Sequence, residues 1–379
     1  MNTKRKKMID TVILTIPREN YKVMNPAMFQ PNYNVLLERG FYLVKCVNNP
    51  TKKDKELEIY KPKLTAIKRM TRNGIEIPLK IEFSVAKVLY KNNLDEVEEK
   101  DFDLVIRSLI EKLYDMGVMI SFESIKNAII QSFHPSKNIE LKEYTVKFVI
   151  QELEKVNLSQ RIDLNKANFR NTGESVQYYT NSYSLTFYDK VKDLNKPSKR
   201  AIDKDQTYLQ ASLFESLEKD KKQIFRMEAR LVNKIKMNSI LESLGYDKNP
   251  KFKDIFKKQL CQKILLKCWT EFITDHNLFL FSIENNTEKV FRHILKSTKH
   301  NIYTRSTSIF ALNFLAKELG IRKLRTILEE RIDPRTWSTR VKKDLDILNE
   351  VIGTQPTHDW VNQIKKELEL FKPYKINSP

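Results

Sequence analysis

Residues Ser182–Lys192 read SYSLTFYDKVK, and this stretch decides the fold of the first half of the chain. Leu185 and Phe187 alternate with polar neighbours, which is the period of a half-buried β-strand. Tyr188 therefore falls on the polar face near the end of the strand, and two lysines follow it. A phenol is a weak nucleophile at its usual pKa of about 10, but cations and a metal-held phosphate can activate it. The simpler interpretation is that Tyr188 ends the strand with its hydroxyl group in water.

The remaining strands of the first 245 residues follow one another without the strand-helix-strand alternation of a parallel sheet. Apolar alternation predicts strands at 11–16, 41–47, 77–85, 129–134, 175–180, 183–188 and 224–231, and helical spacing predicts helices at 102–116 and 144–156. Beyond Gly245 the pattern is helix after helix. We therefore predict an α+β fold, with an antiparallel-sheet domain at residues 1–245 and a small all-helical domain at residues 246–379.

The charge balance favours a polyanionic partner. Sixty-eight Lys and Arg residues stand against 48 Asp and Glu residues, so the formal net charge is +20. Nucleic acid is the commonest large polyanion, and a membrane surface or a generally solvated basic protein are the alternatives. No run of about 18 apolar residues exists, which excludes a transmembrane span. The basic start resembles that of a signal peptide, but Asp10 and Pro17 interrupt the apolar run that follows, so we expect a strand and a cytoplasmic protein.

Glycine, cysteine and histidine usage argue against several kinds of site. The chain has seven glycines and no GxGxxG or GxxxxGK[ST] loop, which argues against an ATP-driven enzyme of the P-loop class. Three cysteines without a CxxC pair are typical of buried reduced thiols. The five histidines are scattered, and none belongs to a His-x-His pair.

Polar residues at four strand ends supply the parts of a phosphoryl-transfer site. Moving a DNA phosphodiester onto a tyrosine needs a divalent cation, ligands of the His and carboxylate type, and cations that stabilise the developing charge. A histidine before a proline is more often a surface or capping residue, and carboxylates on strands are equally typical of salt-bridge partners. The candidates are Glu82, Ser132 with His134, Tyr188 with Lys190, and Arg226 with Glu228 and Arg230.

Five short stretches occur in a specific order along the chain. They are Met8–Val12, Phe83–Leu89 followed by Asn92 and Asn93, His134–Ile139, Phe187–Lys190 followed by Asp193 and Leu194, and Arg226–Leu231. Together they resemble the replication initiator of filamentous phages, the gene II protein type. The resemblance covers roughly residues 8–245 and, more loosely, the helical region to about residue 345.

This resemblance implies a site- and strand-specific endonuclease of rolling-circle DNA replication. Members of the family nick one strand of a double-stranded origin, stay attached to the 5′ phosphate through a tyrosine, and later rejoin the displaced circle, using Mg²⁺. The family's catalytic tyrosine matches Tyr188 and its accompanying lysine matches Lys190, while Glu228 falls on its Arg-x-Glu-x-Arg strand. Nicking enzymes of the broader class often bind the cation through a His-hydrophobe-His pair, which is absent here. His134 is therefore the first candidate ligand for Mg²⁺, or alternatively Mn²⁺, with Glu82 and Glu228 behind it.

The same reading implies specific partners. We expect the basic surface and the helical domain to hold the origin duplex mainly through phosphate contacts. The affinity should therefore fall steeply as the salt concentration rises. Local melting then delivers single-stranded DNA to the site, and unwinding requires a host helicase and replisome. We also expect that the protein can form an oligomer on the DNA. The residues expected to contact DNA are Lys87, Lys137, Lys192, Arg226 and Arg230.

Three other readings compete with a nicking enzyme of this family. A non-enzymatic origin-binding initiator would leave Tyr188 structural, but such proteins are usually built from winged helices rather than many consecutive strands. A conjugative relaxase shares the tyrosine chemistry but would be expected to show a histidine cluster for its metal. An RNA-binding structural protein fits the charge, yet the chain lacks an aromatic-rich RRM signature.

Overall fold

The structure is a computed structural model, and it describes residues 9–38, 40, 44–57, 59–72, 74–90, 94–156, 168–170, 174–194, 216–217, 220–274, 277–283, 286–352 and 356–375. The strands are β1 Ile9–Ile16, β2 Tyr21–Val23, β3 Lys45–Asn48, β4 Lys63–Ile67, β5 Arg69–Thr71, β6 Gly74–Glu76, β7 Leu79–Ser84, β8 Val118–Ile120, β9 Ile129–Glu140, β10 Asn168–Arg170, β11 Ser175–Tyr179, β12 Ser184–Asp189 and β13 Ile224–Arg230. The helices are α1 Lys52–Glu56, α2 Val85–Tyr90, α3 Phe102–Asp115, α4 Phe122–Lys126, α5 Val146–Glu154, α6 Lys190–Leu194, α7 Lys234–Ser243, α8 Phe252–Ile255, α9 Lys258–Trp269, α10 Thr287–Ser297, α11 Ile302–Leu319, α12 Ile321–Glu329, α13 Pro334–Thr336, α14 Lys342–Ile352 and α15 Asp359–Leu370.

Nine of the described strands form one sheet in the order β10-β11-β12-β13-β9-β1-β7-β4-β3. Every neighbouring pair in this sheet is antiparallel. Two small antiparallel pairs lie outside it, β2 with β8 from distant parts of the chain and β5 with β6 as a short hairpin. The predicted α+β class, with an antiparallel sheet and a helical C-terminal region, is confirmed.

The sheet has one apolar and one polar face because its strands alternate. In β1, Val12 and Leu14 are buried while Thr11, Ile13 and Thr15 are half-buried. Directly paired residues of antiparallel strands project from the same face, so the alternation of β1 continues into its neighbours. We call the face that carries Thr11, Thr15, Lys80, Glu82, Ser132, His134, Glu228 and Tyr188 the polar face.

Strand β9 is twice as long as the alternation predicts. The sequence predicts a strand that ends at His134, before Pro135, because proline cannot donate to a ladder. In the structure β9 continues to Glu140, and Pro135 lies beside Ile9 where the register with β1 shifts. A bulge is one of the few places in a sheet that tolerates proline. The longer strand brings Ser136 and Asn138 onto the polar face.

Helices of the C-terminal region pack on the apolar face. The Phe187 ring lies 5.0 Å from that of Phe272 and 6.4 Å from that of Trp269, between ring centroids. Phe252 lies in the same way against Phe83 of β7, with the ring centroids 5.9 Å apart. The described residues on both sides of position 245 thus contribute to a single hydrophobic core. The independence of the predicted domains 1–245 and 246–379 stays a prediction.

A short C-terminal segment is fixed to the loop that precedes α3. The Glu96 side chain is 0% exposed, and its Oε2 accepts a 2.9 Å hydrogen bond from the Tyr374 backbone N–H. The Glu96 N–H donates in return to the Tyr374 carbonyl, at 3.2 Å. The Tyr374 ring packs beside a small cluster that includes Val191 and Leu194 of α6. The segment therefore supports the helix that follows Tyr188 and Asp189.

None of the helices among the described residues has the length and apolar character that a membrane crossing requires.

Candidate active site

The register of β12, β13 and β9 places most of the predicted site residues side by side on the polar face. Tyr188 lies opposite Arg226, and Arg226 lies opposite Asn138. Two residues further along these strands, and so on the same face, Glu228 lies opposite Thr186. The pairing of the strands therefore brings the tyrosine, an arginine and a carboxylate together without any help from loops.

Tyr188 is half-buried and lies between two cations. Its Oη donates a 3.4 Å hydrogen bond to Oε2 of Glu228. The Lys190 Nζ lies 5.6 Å from the centre of the ring, and the Arg226 guanidinium carbon lies 6.0 Å from it. Burial raises the pKa of the Tyr188 hydroxyl well above 10, and the Arg226 charge opposes this rise. The resting phenol is therefore protonated and needs a proton acceptor before it can attack phosphorus.

Lys190 is the first residue of α6, and the local sequence explains why a helix begins there. The Asp189 Oδ1 accepts a hydrogen bond from the Lys192 N–H at 3.0 Å, which satisfies a free donor of the first turn. The Lys190 side chain is 1% exposed and its Nζ contacts Asp193 Oδ2 at 3.1 Å. Burial lowers the pKa of Lys190 to about 8, although Asp193 works in the opposite direction. At neutral pH the site therefore holds a buried ammonium group that is close to losing its proton.

Glu228 is 2% exposed and is the most heavily bonded carboxylate of the site. Arg230 Nε donates to its Oε1 at 3.0 Å, and His134 Nδ1 lies 3.3 Å from the same oxygen. Burial alone would raise the pKa of the Glu228 carboxyl, but Arg230 and His134 hold it well below its usual range. The other ring nitrogen of His134 lies 3.4 Å from the Ser132 Oγ. A chain of polar groups thus runs from the Tyr188 hydroxyl through Glu228 to His134.

Arg226 is held in place by partners on two neighbouring strands. Its Nη2 lies 2.7 Å from Asp10 Oδ1 on β1 and donates to the Ser136 Oγ at 3.1 Å. Its Nη1 donates to the Asn138 Oδ1 at 3.3 Å. Burial alone would lower the pKa of this guanidinium, but its acidic neighbours, Tyr188 first, outweigh burial and raise that pKa. Arg226 is therefore a fixed, permanent positive charge beside the phenol.

The structure does not place all predicted DNA contacts on one surface. Lys137 is 1% exposed, projects from the face opposite to that of Glu228, and pairs with Glu96 at 2.9 Å. Lys87 is buried in α2, and its Nζ lies 5.9 Å from the centre of the Tyr60 ring. Lys192 is exposed on α6. Arg226 lies beside Tyr188 but is also only 1% exposed and is paired with Asp10. Of the five predicted contacts, only the positions of Lys192 and Arg230 therefore suit a direct DNA contact near Tyr188.

Glu82 does not join the other predicted metal ligands. It lies on β7, three strands away from Glu228 in the sheet, and its Oε1 contacts Lys63 at 3.4 Å. Within the described ranges, no group of three or more His, Cys, Asp or Glu side chains is arranged to hold a metal ion. His134 and Glu228 do meet, and Mg²⁺ is commonly bound through one or two carboxylates together with substrate phosphates.

An unpaired buried hydroxyl group also points to a ligand at this place. Thr186 is 7% exposed, and its Oγ1 has no hydrogen-bond partner among the described residues. Thr186 lies directly opposite Glu228. A buried hydroxyl without a partner costs free energy, and an oxygen-rich ligand on the polar face above Thr186 would satisfy it. The donor set of His134, Glu228 and Thr186 therefore fits a cation whose remaining ligands are phosphate oxygens.

Several residues of the site were not among the sequence candidates. Asp10, Asp193 and Asn138 each contact a predicted site residue, and Glu96 fixes the strand that carries Asn138 through the 2.8 Å bond that its Oε1 accepts from the Asn138 N–H. Asp10, Asn138 and Asp193 lie in or beside the stretches that carry the family resemblance, and Asp10 is also a single carboxylate inside the apolar strand Ile9–Ile16. Of the residues that carry the family resemblance, Met8, Asn92 and Asn93 lie outside the described ranges.

Comparison of the chain with protein-family models, with curated proteins and with solved structures finds no match.

Proposed function

We propose that this protein is a rolling-circle DNA replication initiator that nicks one strand of an origin through a 5′-phosphotyrosine on Tyr188. The observation that carries the proposal is the position of the Tyr188 hydroxyl, which contacts Glu228 and lies beside Lys190 and Arg226. A phosphoryl-transfer site needs a nucleophile, a proton acceptor and cations for the developing charge, and these residues supply each part. The sequence resemblance to gene II-type initiators supports the same reaction.

In the proposed reaction the Tyr188 oxygen forms a bond to phosphorus while the bond from phosphorus to the 3′ oxygen breaks. The phenol proton leaves through the Glu228 Oε2, which already accepts it, and passes to solvent. The departing 3′ oxygen takes a proton from solvent and becomes a hydroxyl group. Lys190 and Arg226 stabilise the negative charge on the phenol oxygen and on the phosphate, because their positive charges are fixed in a buried site.

His134 and Glu228 are the residues that would hold Mg²⁺, or Mn²⁺ in its place, together with the phosphate oxygens of the DNA. When bound there, the cation supplies polarisation of the scissile phosphate. Glu82 has no part in this proposal because it lies on β7, away from both residues.

The phosphotyrosyl bond conserves the energy of the broken ester, so the reverse attack by a 3′ hydroxyl group rejoins the strand without ATP. This agrees with the lack of a P-loop motif in the sequence. We further propose that a host helicase and replisome act with the protein on the melted origin, in the cytoplasm of the host cell. The net charge of +20 supports an affinity for double- and single-stranded DNA that falls with salt.

The test is a nicking assay on supercoiled DNA from the parent genetic element, with Mg²⁺ and a denaturing gel after protease digestion. Wild type is expected to leave a nicked circle with a peptide on the 5′ end, and Tyr188→Phe is expected to bind the DNA without cutting it. Tyr179→Phe is the matched control, because Tyr179 is a half-buried tyrosine on the same face of the neighbouring strand. Equal nicking by wild type and Tyr188→Phe would refute the assignment of the nucleophile.

A non-enzymatic origin-binding initiator is the second candidate. The observation that favours it is the hydrogen bond that the Tyr188 hydroxyl donates to Glu228, as in a structural tyrosine, and burial also raises the pKa of that hydroxyl. Under this function wild type binds origin DNA and leaves it intact with Mg²⁺ and with Mn²⁺. That result in the same assay would refute the nicking function and support the non-enzymatic one.

A further inference from the structure

The polar face extends well beyond the site, onto strands that the proposed reaction does not use. On β1, β7, β4 and β3 the residues that project from this face are half-buried or exposed rather than covered. Three of them are lysines: Lys45 on β3, Lys63 on β4 and Lys80 on β7. We call this half of the polar face the lysine surface.

Positive charges crowd together on the lysine surface. Burial lowers the pKa of Lys80, and the charges of Arg69 and Lys45 lower it further. Two carboxylates partly balance these cations: Glu82 contacts Lys63 at 3.4 Å, and Glu76 contacts Arg69 at 2.8 Å. Among these residues the cations outnumber the carboxylates, so the surface attracts a polyanion.

Aliphatic side chains lie among the lysines. Ile13, Val47 and Ile67 project from the same face and are half-buried. The register places Ile67 opposite Lys45 and Val47 opposite Thr65. The surface therefore combines positive charges with small apolar patches. A DNA duplex presents mainly phosphates to such a surface, whereas an unpaired strand also presents the apolar faces of its bases.

The lysine surface is continuous with the candidate active site. Four steps between neighbouring strands separate β12, which carries Tyr188, from β7, which carries Lys80. At about 4.8 Å per step the two strands lie about 19 Å apart, and the register places Tyr188 level with Asn138 and Lys80 level with Ile129, nine residues or about 30 Å apart along β9. Tyr188 and Lys80 are thus about 35 Å apart along a diagonal of the polar face, which about ten stacked nucleotides of a single strand would span. A strand whose scissile phosphate lies at Tyr188 can thus cross β13, β9 and β1 and reach Lys80.

We propose that the lysine surface binds the unpaired DNA strand on one side of the scissile phosphate. The strand crosses the polar face diagonally, with its phosphates near Lys80 and Lys45 and its bases against Ile13 and Val47. This inference rests on the proposed function, because it extends the path of the strand that Tyr188 cuts. It adds a second contact surface, which the chemistry at Tyr188 does not itself require.

The test compares the double variant Lys45→Gln/Lys80→Gln with the control Lys365→Gln/Lys366→Gln. The control removes the same charge from two exposed lysines of α15. All proteins also carry Tyr188→Phe and are studied in EDTA, so that neither cleavage nor a metal ion affects the result. Fluorescence anisotropy measures binding of an oligothymidylate of about twelve nucleotides, a length within the range of single-strand grooves.

The lysine-surface variant is expected to bind the oligothymidylate about tenfold more weakly than the control, with a salt slope smaller by about 1.4 for two lost phosphate contacts. A thermal melt of each protein shows whether the variant is folded. The single variant Lys45→Gln changes only an exposed side chain and is expected to give about half of the change in salt slope.

Equal affinity of the two double variants would overturn the inference. It would also be overturned if the lysine-surface variant lost affinity for a duplex of the same length as strongly as for the single strand. The same holds if polyglutamate displaced the bound oligothymidylate as effectively as unlabelled single-stranded DNA does. Lack of nicking by the wild-type protein would refute only the proposed function, since the binding measurements do not depend on cleavage.

Discussion

Glu228 contacts a phenol, a guanidinium and an imidazole at once, so its charge connects most of the candidate site. Removing a buried charge leaves its partners uncompensated, which usually costs more than the intact interaction gains. For this reason a change at this single residue has consequences for both stability and pH dependence.

We expect Glu228→Gln to lower the free energy of unfolding at neutral pH by about 3 kcal/mol. Arg230 and His134 hold the pKa of Glu228 well below 4.5, so its contribution is present above that pH and is lost as the pH falls through the folded-state pKa. Urea unfolding at neutral and acid pH measures the difference between wild type and variant, which should shrink in acid. Glu82→Gln is the control and should change stability by less than about 0.5 kcal/mol, because the Glu82 side chain is 42% exposed and its pair with Lys63 is screened by solvent. A difference that does not depend on pH would contradict this account.

Lys190→Met is expected to stabilise the folded protein near pH 7 by about 1–3 kcal/mol while reducing nicking. Burial lowers the pKa of Lys190 from 10.5 to about 8, so the unfolded chain binds one more proton between these values. Wild-type stability should therefore rise with pH across that window, and the advantage of the variant should vanish above it. Unfolding curves at pH values on both sides of the window measure this. A less stable variant at pH 7 would show that the pair with Asp193 outweighs the cost of burial.

At the scale of single residues, alternation along the chain is sufficient to place Tyr188, Arg226 and Glu228 on one face. It also places Glu82 on that face, but its distance from Glu228 depends on the strand order, which the local pattern does not contain. The contacts of Asp10 and Glu96 join residues far apart in sequence. No periodicity can reveal such partners before the topology is known.

Among the secondary-structure elements, the contact between α5 and the start of α12 is unusually close. Gly320 has a φ of +78°, and a Cβ atom placed on it would lie 2.7 Å from the Lys155 Cα. The Ile321 N–H donates to the Lys155 carbonyl at 2.9 Å, which fixes this approach. The backbone of the helical region is thus bonded directly to the end of α5.

Gly320→Ala is expected to destabilise the protein by about 1–3 kcal/mol more than Gly245→Ala. Gly245 has a similar φ of +79°, but its Cβ would meet no atom within 4 Å. The control therefore contains only the conformational cost, about 1–2 kcal/mol, whereas the Gly320 variant adds a backbone clash. Thermal melts of both variants measure the difference, and equal melting temperatures would mean that α12 can shift without cost.

Helices and strands can be predicted where the apolar spacing of a helix or of a strand continues over many residues without interruption. The predicted helix 102–116 forms as α3, with Val105, Leu109 and Leu113 buried. Strand β9 was predicted too short because Pro135 is a strong local signal for the end of a strand, while the bulge that tolerates it is formed by β1. Tertiary pairing outweighed local propensity there.

At the scale of the whole molecule, the helices after residue 245 complete the core of the sheet rather than build a separate one in the described residues. Phe252 packs between Phe83 and Phe102, and Trp269 packs against Phe187. Removing those helices would expose the apolar face of the sheet to water. The sequence shows the change to helical texture at Gly245, but it does not show which surfaces the later helices cover.

We therefore expect a fragment of residues 1–245 to lack a cooperative unfolding transition, whereas the full chain unfolds in a single step. Near-ultraviolet circular dichroism and calorimetry measure both properties, and binding of a hydrophobic dye reports the exposed face. A fragment that melts cooperatively with native-like near-ultraviolet signal would instead establish residues 1–245 as an independent domain.

The bond between Glu96 and the Tyr374 backbone spans 278 positions of the chain. A ribosome makes Glu96, Lys137, Tyr188 and Glu228 long before it makes Tyr374, so the buried Glu96 carboxylate lacks one of its donors until Tyr374 has been added. An incomplete chain lacks the contacts of Tyr374 with the residues beside α6, which begins with Lys190. The arrangement around α6 would thus be completed only after Tyr374 has been made, and chains that stop before Tyr374 would be expected to hold Tyr188 and Lys190 less firmly.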